Sequence, residues 1–144
     1  MSNRTLRVGL VGAGSWARAA HIPAFADING AEIVGVTDVS QDRAAALAEE
    51  FDFEGHYPDV ETMLQEADLD ILDVVTSRGE HFEPAMAGIQ HGLDILCEKP
   101  LGHTLEEARK LYRSAEERQI VTHMGWTFRY SPAMRYMRDL ILDG

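Results

Sequence analysis

The residues best suited to chemistry form a glycine-rich turn between an apolar segment and a helix-compatible one. The turn reads Gly12-Ala13-Gly14-Ser15-Trp16-Ala17, and the apolar residues 6–11 precede it. In such a turn the first glycine allows a tight bend and the second lets the backbone approach a pyrophosphate. A small third residue, here Ala17, allows close packing of helix and strand. Free N–H groups at the helix start then face the phosphates, so the pattern predicts dinucleotide binding.

An acidic residue follows at the distance that such a site requires. Asp38 closes the next apolar run, about 20 residues after the glycines. Its carboxylate can accept hydrogen bonds from adenosine ribose hydroxyls and would repel a 2′-phosphate, which favours NAD over NADP. Arg43 in the following helix can stack on adenine or bind a 2′-phosphate. The alternatives are a turn-forming aspartate and a solvated helix arginine.

A second pair of reactive side chains follows another apolar run. Glu98 and Lys99 come directly after a strand predicted over residues 94–97, and the carboxyl ends of parallel strands border the ligand crevice. Lys99 can donate a hydrogen bond to a substrate hydroxyl or stabilise developing charge. A surface ion pair is an equally good interpretation. Cys97 is predicted to be a small buried residue rather than a nucleophile.

The elements that must position these residues alternate along the chain. Strands are predicted at residues 6–11, 31–38, 56–57, 69–76, 94–97 and 120–124. Helices are predicted at residues 15–20, with an interruption near Pro23, and at 40–50, 59–65, 83–92, 104–119 and from 131 to the C terminus. Ser40 is a candidate N-cap, and Thr104 with Glu107 forms a capping box. The alternation predicts an α/β fold in which a doubly wound, mostly parallel sheet lies between two helical layers.

Composition narrows the functional class further. The 144 residues amount to one domain, and a net charge of −11 argues against nucleic acid as a partner. Neither a membrane span nor a signal peptide is visible, and the single Cys97 excludes an internal disulfide and suits a reducing cytoplasm. No metal site is expected. The histidines at positions 21, 56, 91, 103 and 123 show no ligand spacing and are interpreted as structural or exposed.

The chain resembles the glucose–fructose oxidoreductase, inositol dehydrogenase and MocA family along its whole length. The resemblance lies in four ordered segments. They are the glycine-rich turn with His21-Ile22-Pro23, Thr76-Ser77-Arg78-Gly79-Glu80-His81, Glu98-Lys99-Pro100-Leu101, and residues 125–133 with Trp126 and Arg129. The family implies a Rossmann domain that binds NAD(P) and takes part in hydride transfer to or from a sugar, polyol or related hydroxyl compound.

Carried over by position, the resemblance also implies a role for each site residue. The pyrophosphate would be surrounded by Gly12, Gly14, Ser15 and Trp16, and Asp38 would meet the adenosine ribose. The ribose–nicotinamide stretch would be lined by Thr76, Ser77 and His81. Glu98 and Lys99 would reach the nicotinamide, Lys99 would also touch substrate as the catalytic residue, and Trp126 and Arg129 would border the same cleft. The sequence departs from the family pattern at Ser77-Arg78 and at Thr127, which puts two polar contacts in doubt.

Members of this family carry a second, α+β domain that completes the substrate site. We expect residues 1–144 to be the dinucleotide-binding domain alone, able to bind cofactor but catalytically incomplete. The alternative is a stand-alone, non-catalytic module that binds dinucleotide as a sensor or scaffold. S-adenosylmethionine binding is a weaker alternative, because Asp38 and the Glu98-Lys99-Pro100 segment suit nicotinamide better. The apolar C-terminal segment, residues 126–137, is expected to mediate self-association.

Overall fold

The computed structural model describes residues 4–144 and places six strands within them in one parallel sheet. The strands are β1 (Leu6–Val11), β2 (Ala31–Thr37), β3 (Gly55–Tyr57), β4 (Ile71–Val74), β5 (Asp94–Glu98) and β6 (Thr122–Gly125). Their order across the sheet is β3-β2-β1-β4-β5-β6, and each adjacent pair is parallel. The order reverses between β1 and β4, which is where open α/β sheets bind their ligands.

Helices cover both faces of the sheet. They are α1 (Ile22–Ala26), α2 (Gln41–Phe51), α3 (Val60–Glu66), α4 (Phe82–Gln90), α5 (Leu105–Arg118) and α6 (Pro132–Asp143). A π-helical segment, Ala17–His21, leads into α1, and a 3₁₀ helix, Thr127–Tyr130, precedes α6. The predicted three-layer, doubly wound α/β fold is confirmed.

Two apolar cores hold these layers together. On one face, Leu10 of β1 packs with Leu47 of α2 and with the start of the first helical run. On the other face, Leu72 of β4 packs with Ile89 of α4 and with α3 and α5. Strands covered on both faces need apolar side chains throughout, which explains the nearly continuous apolar runs of β1 and β4.

The end of β1 lies in the middle of the carboxyl edge of the sheet. Val11 pairs with Thr37 of β2 on one side and with Val74 of β4 on the other. The glycine-rich turn follows directly, so it projects from the topological switch point. This placement brings the turn close to the residues that follow β2 and β4.

The predicted interruption of the first helix near Pro23 is wrong. The helical run continues to Ala26 because its middle turn is π-helical, with the Ile22 N–H donating to the carbonyl of Ala17 five residues earlier. Pro23 lies in the first turn of α1, where a missing N–H costs little. The π-helical turn also carries His21 toward the sheet.

Other local predictions agree in kind and differ in detail. The Thr104–Glu107 capping box is confirmed, with both of its hydrogen bonds present. Ser40 is the N-cap of α2, but its side chain makes no capping bond, and its backbone N–H donates to Asp38 Oδ1. β4 is four residues long rather than eight, since the chain leaves the sheet at the cleft.

The C-terminal residues 127–143 pack little against the rest of the described chain. No residue of α6 is buried, and the 3₁₀ helix before it has no buried residue either. Among residues 4–144 there is no helix with the length and apolar character that a bilayer crossing demands.

Candidate functional site

The turn after β1 opens onto a cleft of about 680 Å³ at the carboxyl edge of the sheet. The residues predicted to bind cofactor that line it are Gly12, Gly14, Asp38, Arg43, Thr76 and Ser77. Arg43 comes from α2, and the other five follow the ends of three neighbouring strands, β1, β2 and β4. The topology therefore brings together residues that lie up to 65 positions apart in the sequence.

The two glycines of the turn are required for different reasons. Gly12 has φ +109°, and a Cβ there would lie 2.7 Å from the carbonyl oxygen of Val75. Gly14 has no positive φ, and a Cβ there would meet no atom of the described chain within 4 Å. Packing therefore explains Gly12 but not Gly14. The open space above Gly14 is where a pyrophosphate would need the backbone bare.

A buried hydroxyl faces the same cleft. Thr76 follows β4 and lines the cleft, and its Oγ1 is buried with no hydrogen-bond partner among the described residues. Buried polar atoms are rarely left unpaired, so such an atom calls for a bonding partner such as a ligand hydroxyl or a water. Ser77, the next residue, extends the polar lining.

Asp38 is held by three donors. Its Oδ2 accepts from the Ala13 N–H at 2.7 Å, and its Oδ1 accepts from the Ser40 N–H at 2.7 Å and from the Arg43 guanidinium at 2.6 Å. Burial would raise the pKa of Asp38, but the two backbone bonds and Arg43 outweigh burial and hold the pKa below its ordinary value. The carboxylate is therefore ionised at the end of the cleft where the ribose is expected.

His81 lies beneath the cleft instead of lining it. Its ring is 2% exposed, with Nδ1 at 2.6 Å from the Pro100 carbonyl oxygen and Nε2 at 3.0 Å from that of Thr76. Both ring nitrogens thus face backbone acceptors. The geometry fits a residue that ties the end of β4 to the loop after β5.

Glu98 and Trp16 line a second groove of about 260 Å³, and Lys99 contacts Glu98 without lining that groove. Glu98 Oε1 accepts from the Trp16 indole N–H at 3.0 Å, and Oε2 lies 3.3 Å from the Lys99 Nζ. Burial would raise the pKa of Glu98, but Trp16 and Lys99 outweigh burial and lower it. The buried carboxylate thus anchors an ammonium group that is mostly exposed.

The remaining predicted site residues are more spread out. Trp126 lines this second groove, whereas Arg129 lines an adjoining groove together with Trp126 and Phe128. Ser15 is exposed and lines none of these three cavities. Cys97 is fully buried and burial raises its pKa to about 12, as expected for an unreactive thiol.

A buried polar pair that was not predicted from the sequence lies behind the second groove. Asp73 of β4 is fully buried, and its Oδ2 lies 2.8 Å from Nδ1 of His21. A usable signal was present, because Asp73 is the one charged residue in the apolar run from Ile71 to Val75. Within residues 4–144, no group of three histidine, cysteine, aspartate or glutamate side chains is placed to hold a metal ion.

Comparison with protein-family models gives one match. The model described as "Oxidoreductase family, NAD-binding Rossmann fold" matches residues 6–126. This range includes both glycines of the turn and runs from β1 to the residue after β6.

Individual relatives extend the comparison. The 1,5-anhydro-D-fructose reductase of Ensifer adhaerens is 37% identical over 96% of this chain and 41% of its own length. The 3-ketoreductase KijD10 of Actinomadura kijaniata, in complex with TDP-benzene and NADP, has a TM-score of 0.88 at 26% identity, covering 98% of this chain and 44% of its own. GenD2 from gentamicin A biosynthesis, in complex with NAD, has a TM-score of 0.83 at 26% identity, covering 90% and 36%. The chain therefore spans about two fifths of the length of these relatives.

Proposed function

Because the chain belongs to the Gfo/Idh/MocA oxidoreductase family, we propose that it is the cofactor-binding part of an NAD(P)-dependent oxidoreductase. The whole enzyme would transfer hydride between the nicotinamide and a sugar, polyol or related hydroxyl compound. The observation that carries the proposal is the bare backbone at Gly14, which neither packing nor φ requires. A dinucleotide pyrophosphate in that space supplies the missing reason.

The residues of the first cleft would hold the adenosine and pyrophosphate. In this proposal the turn from Gly12 to Trp16 surrounds the pyrophosphate, and the Asp38 carboxylate accepts from the ribose hydroxyls. The buried Thr76 hydroxyl, which has no partner among residues 4–144, would bond to the cofactor on the nicotinamide side together with Ser77. His81 would act indirectly, by fixing the position of Thr76.

The second groove would hold the reacting end. A nicotinamide ring, when bound, supplies hydride donor and acceptor chemistry that no protein side chain offers. Lys99 is the proposed catalytic residue, because its exposed ammonium group can donate a hydrogen bond to a substrate oxygen and stabilise charge that develops on it. Glu98 would keep that group charged and in place. Trp126 and Arg129 would border the substrate.

We also propose that NAD is the preferred cofactor. The Asp38 carboxylate is ionised, and a 2′-phosphate beside it would bring two anions into contact. Arg43 opposes this preference, since its guanidinium lies next to the same carboxylate and is mostly exposed. The solved complex of KijD10 contains NADP and that of GenD2 contains NAD, so the preference of this chain must be argued from its own residues.

The chain by itself is proposed to bind cofactor without turning over substrate. It corresponds to about two fifths of the relatives, and Lys99 is the single group here assigned to the reacting atoms. A non-catalytic dinucleotide sensor would have the same first cleft, so activity is what distinguishes the two functions. We further propose that the exposed apolar residues between 126 and 142, called the α6 region below, lead to self-association of the chain.

The test compares Gly14→Ala with Gly79→Ala in calorimetric titrations with NAD. Gly14→Ala should leave the unfolding midpoint unchanged, because its Cβ meets no atom of the described residues within 4 Å, yet weaken NAD binding by tenfold or more, roughly 1.4 kcal/mol. Gly79→Ala adds the same methyl group to open space elsewhere in the cleft lining and should weaken NAD binding less, because Gly79 is not part of the turn. Wild-type affinity in Gly14→Ala would contradict the proposed site.

A further inference from the structure

The Asp73 carboxylate sits in an environment where an uncompensated charge would be very costly. It is fully buried in β4, and its Oδ1 has no hydrogen-bond partner among the described residues. Its Oδ2 contacts Nδ1 of His21 at 2.8 Å. His21 comes from the π-helical turn, a local irregularity that often occurs at functional sites. Compensation of this carboxylate therefore depends on His21.

The other ring nitrogen of His21 faces Glu98. Its Nε2 lies 3.4 Å from Glu98 Oε1, the oxygen that also accepts from the Trp16 indole. Gly125 provides the space for this carboxylate, because a Cβ there would lie 2.6 Å from Oε1. His21 thus connects a buried strand carboxylate to the carboxylate that holds Lys99.

A charged imidazole fits this geometry when Asp73 and Glu98 are both ionised. Ionised carboxylates only accept hydrogen bonds, so both nitrogens of His21 must donate, and only the imidazolium has two N–H groups. Burial would lower the pKa of His21, but the hydrogen bonds and charges of Asp73 and Glu98 outweigh burial and raise it above 6.5. Burial raises the pKa of Asp73, and His21 limits that rise. The charged arrangement of Asp73, His21 and Glu98 is therefore present below the raised pKa of His21 and is lost as pH rises through it.

We propose that His21 is a positioning residue whose charge fixes Glu98 between Trp16 and Lys99 and sets the relative affinity for oxidised and reduced cofactor. This inference rests on the proposed function, because it requires a nicotinamide at the second groove. When His21 is charged, the cluster holds two negative and two positive charges, which sum to zero. The charges alternate in sign along Asp73, His21, Glu98 and Lys99. Without that charge the cluster is left with one net negative charge. The positively charged oxidised ring is then favoured over the neutral reduced ring.

Other titratable groups near His21 have to be separated from its effect. Those facing it from the neighbouring strands and the groove wall are Asp73, Cys97, Glu98, Lys99, His123 and Tyr130. Cys97 stays neutral because its pKa is about 12. His123 is the main confounder, since it lines the same groove as His21. A His123→Gln variant therefore serves as the control.

The first measurement needs no cofactor. Replacing Trp126 by Phe leaves Trp16 as the only indole of the chain, so its fluorescence reports on Glu98 and His21. From about pH 5.5 to about pH 9.5 we expect one transition above pH 6.5, since His is the group whose charge changes in this range. His21→Gln should abolish it and His123→Gln should retain it. An unchanged transition in His21→Gln, or none in the Trp126→Phe parent, overturns the proposal.

The second measurement gives dissociation constants for NAD and NADH on both sides of that transition. Affinity should shift toward NAD by about fivefold or more at the higher pH, the usual lower size of a coupling between sites. His21→Gln should show the high-pH ratio at both pH values. If neither dinucleotide binds the wild-type chain, the proposed function fails. If both NAD and NADH bind and the ratio of their affinities is the same in His21→Gln as in the wild type, only this inference fails.

A second variant keeps the proposal testable if His21→Gln does not fold, as judged by circular dichroism. Gly125→Ala preserves every charge of the cluster but pushes its new Cβ against the Glu98 carboxylate. It should move the Trp16 transition and change the NAD to NADH affinity ratio. Wild-type values for both in a folded Gly125→Ala protein overturn the proposal.

Discussion

The Asp38 carboxylate has one role in holding the fold and another proposed in choosing the cofactor. It joins the Ala13 N–H of the turn to the Ser40 N–H before α2, both at 2.7 Å, and so fixes the shape of the cleft. An ionised carboxylate offers about four acceptor positions, so three donors leave room for a ribose hydroxyl. Arg43 contributes the third donor and is also the nearest cation for a 2′-phosphate.

The balance between these two residues predicts cofactor preference. The wild-type chain should bind NAD at least tenfold more tightly than NADP, or roughly 1.4 kcal/mol, by titration of its total tryptophan fluorescence. Asp38→Ala should narrow that gap, since it removes the anion that repels the 2′-phosphate. Arg43→Ala should widen it. Equal or tighter binding of NADP by the wild type would mean that Arg43 or Arg78 outweighs Asp38.

How far the site could be predicted from the sequence differs from residue to residue. Gly12 and Asp38 were predictable because a turn and a strand end impose local requirements on residue type. The buried position of His81 was not, since it depends on carbonyl groups of Thr76 and Pro100 that only the folded loops bring together. The same holds for the pairing of Asp73 with His21, 52 positions apart.

Among the helices, two N-caps look alike in sequence and differ in structure. Thr104 accepts from the Glu107 N–H at 3.1 Å and completes a capping box at the start of α5. Ser131 precedes Pro132 at the start of α6 but its side chain makes no capping bond. The first hydroxyl therefore stabilises its helix and the second does not.

Alanine substitutions at these caps give a matched pair. Thr104→Ala should lower the free energy of unfolding by about 1 kcal/mol, the typical contribution of an N-cap. Ser131→Ala should stay within about 0.5 kcal/mol of the wild type. Urea denaturation followed by circular dichroism measures both. Equal losses in the two variants would show that the Thr104 bonds do not stabilise α5.

The helices also show which local patterns determine structure. The capping box was predictable because its bonds lie within four residues of each other. The first helix was not, because Pro23 is read as a break unless the preceding turn is π-helical. That turn leads into α1 and carries His21 to Asp73 of β4, a long-range contact that a local pattern does not contain.

For the whole molecule, the net charge bears on dinucleotide binding, whereas the exposed apolar surface bears on contact with another protein. A net charge of −11 repels a dinucleotide, so binding must rely on local N–H groups and on Arg43. The α6 region instead presents a large uncovered apolar surface. Its exposed apolar residues are Trp126, Phe128, Tyr130, Met134, Tyr136, Met137, Leu140, Ile141 and Leu142. Surfaces of this kind usually pack against another protein surface.

Self-association through this surface is the expected consequence. Light scattering should show dimers or larger species at high micromolar concentration, for example by exchange of α6 between chains. Ile141→Glu should shift the protein toward monomer, because Ile141 is 78% exposed in that surface. Val121→Glu adds the same charge at a 68% exposed residue outside it and should change nothing. A monomer at high micromolar concentration would contradict the prediction.

The last prediction is that the 144-residue chain binds cofactor but does not oxidise or reduce a substrate. Hydride transfer needs the substrate carbon held about 3–3.5 Å from the nicotinamide, with a proton acceptor on its oxygen. Lys99 is the group proposed to contact that oxygen, but its ammonium only donates hydrogen bonds, its side chain is 60% exposed and the groove beside Glu98 is open to solvent. The other candidate, His81, is buried with both nitrogens facing backbone carbonyls. Positioning contributes roughly 7–11 kcal/mol to such reactions, so a missing wall should abolish turnover rather than slow it.

Absorbance of NADH provides the measurement. Sugars, inositols and sugar acids are screened with NAD and the chain alone, and the 1,5-anhydro-D-fructose reductase of Ensifer adhaerens, supplied with its own substrate and reduced cofactor, is the positive control. The chain should give no signal above a cofactor-only blank, while calorimetry on the same sample shows bound NAD. Turnover by the chain would mean that Lys99 and the open groove suffice, and its loss in Lys99→Ala would locate the activity there.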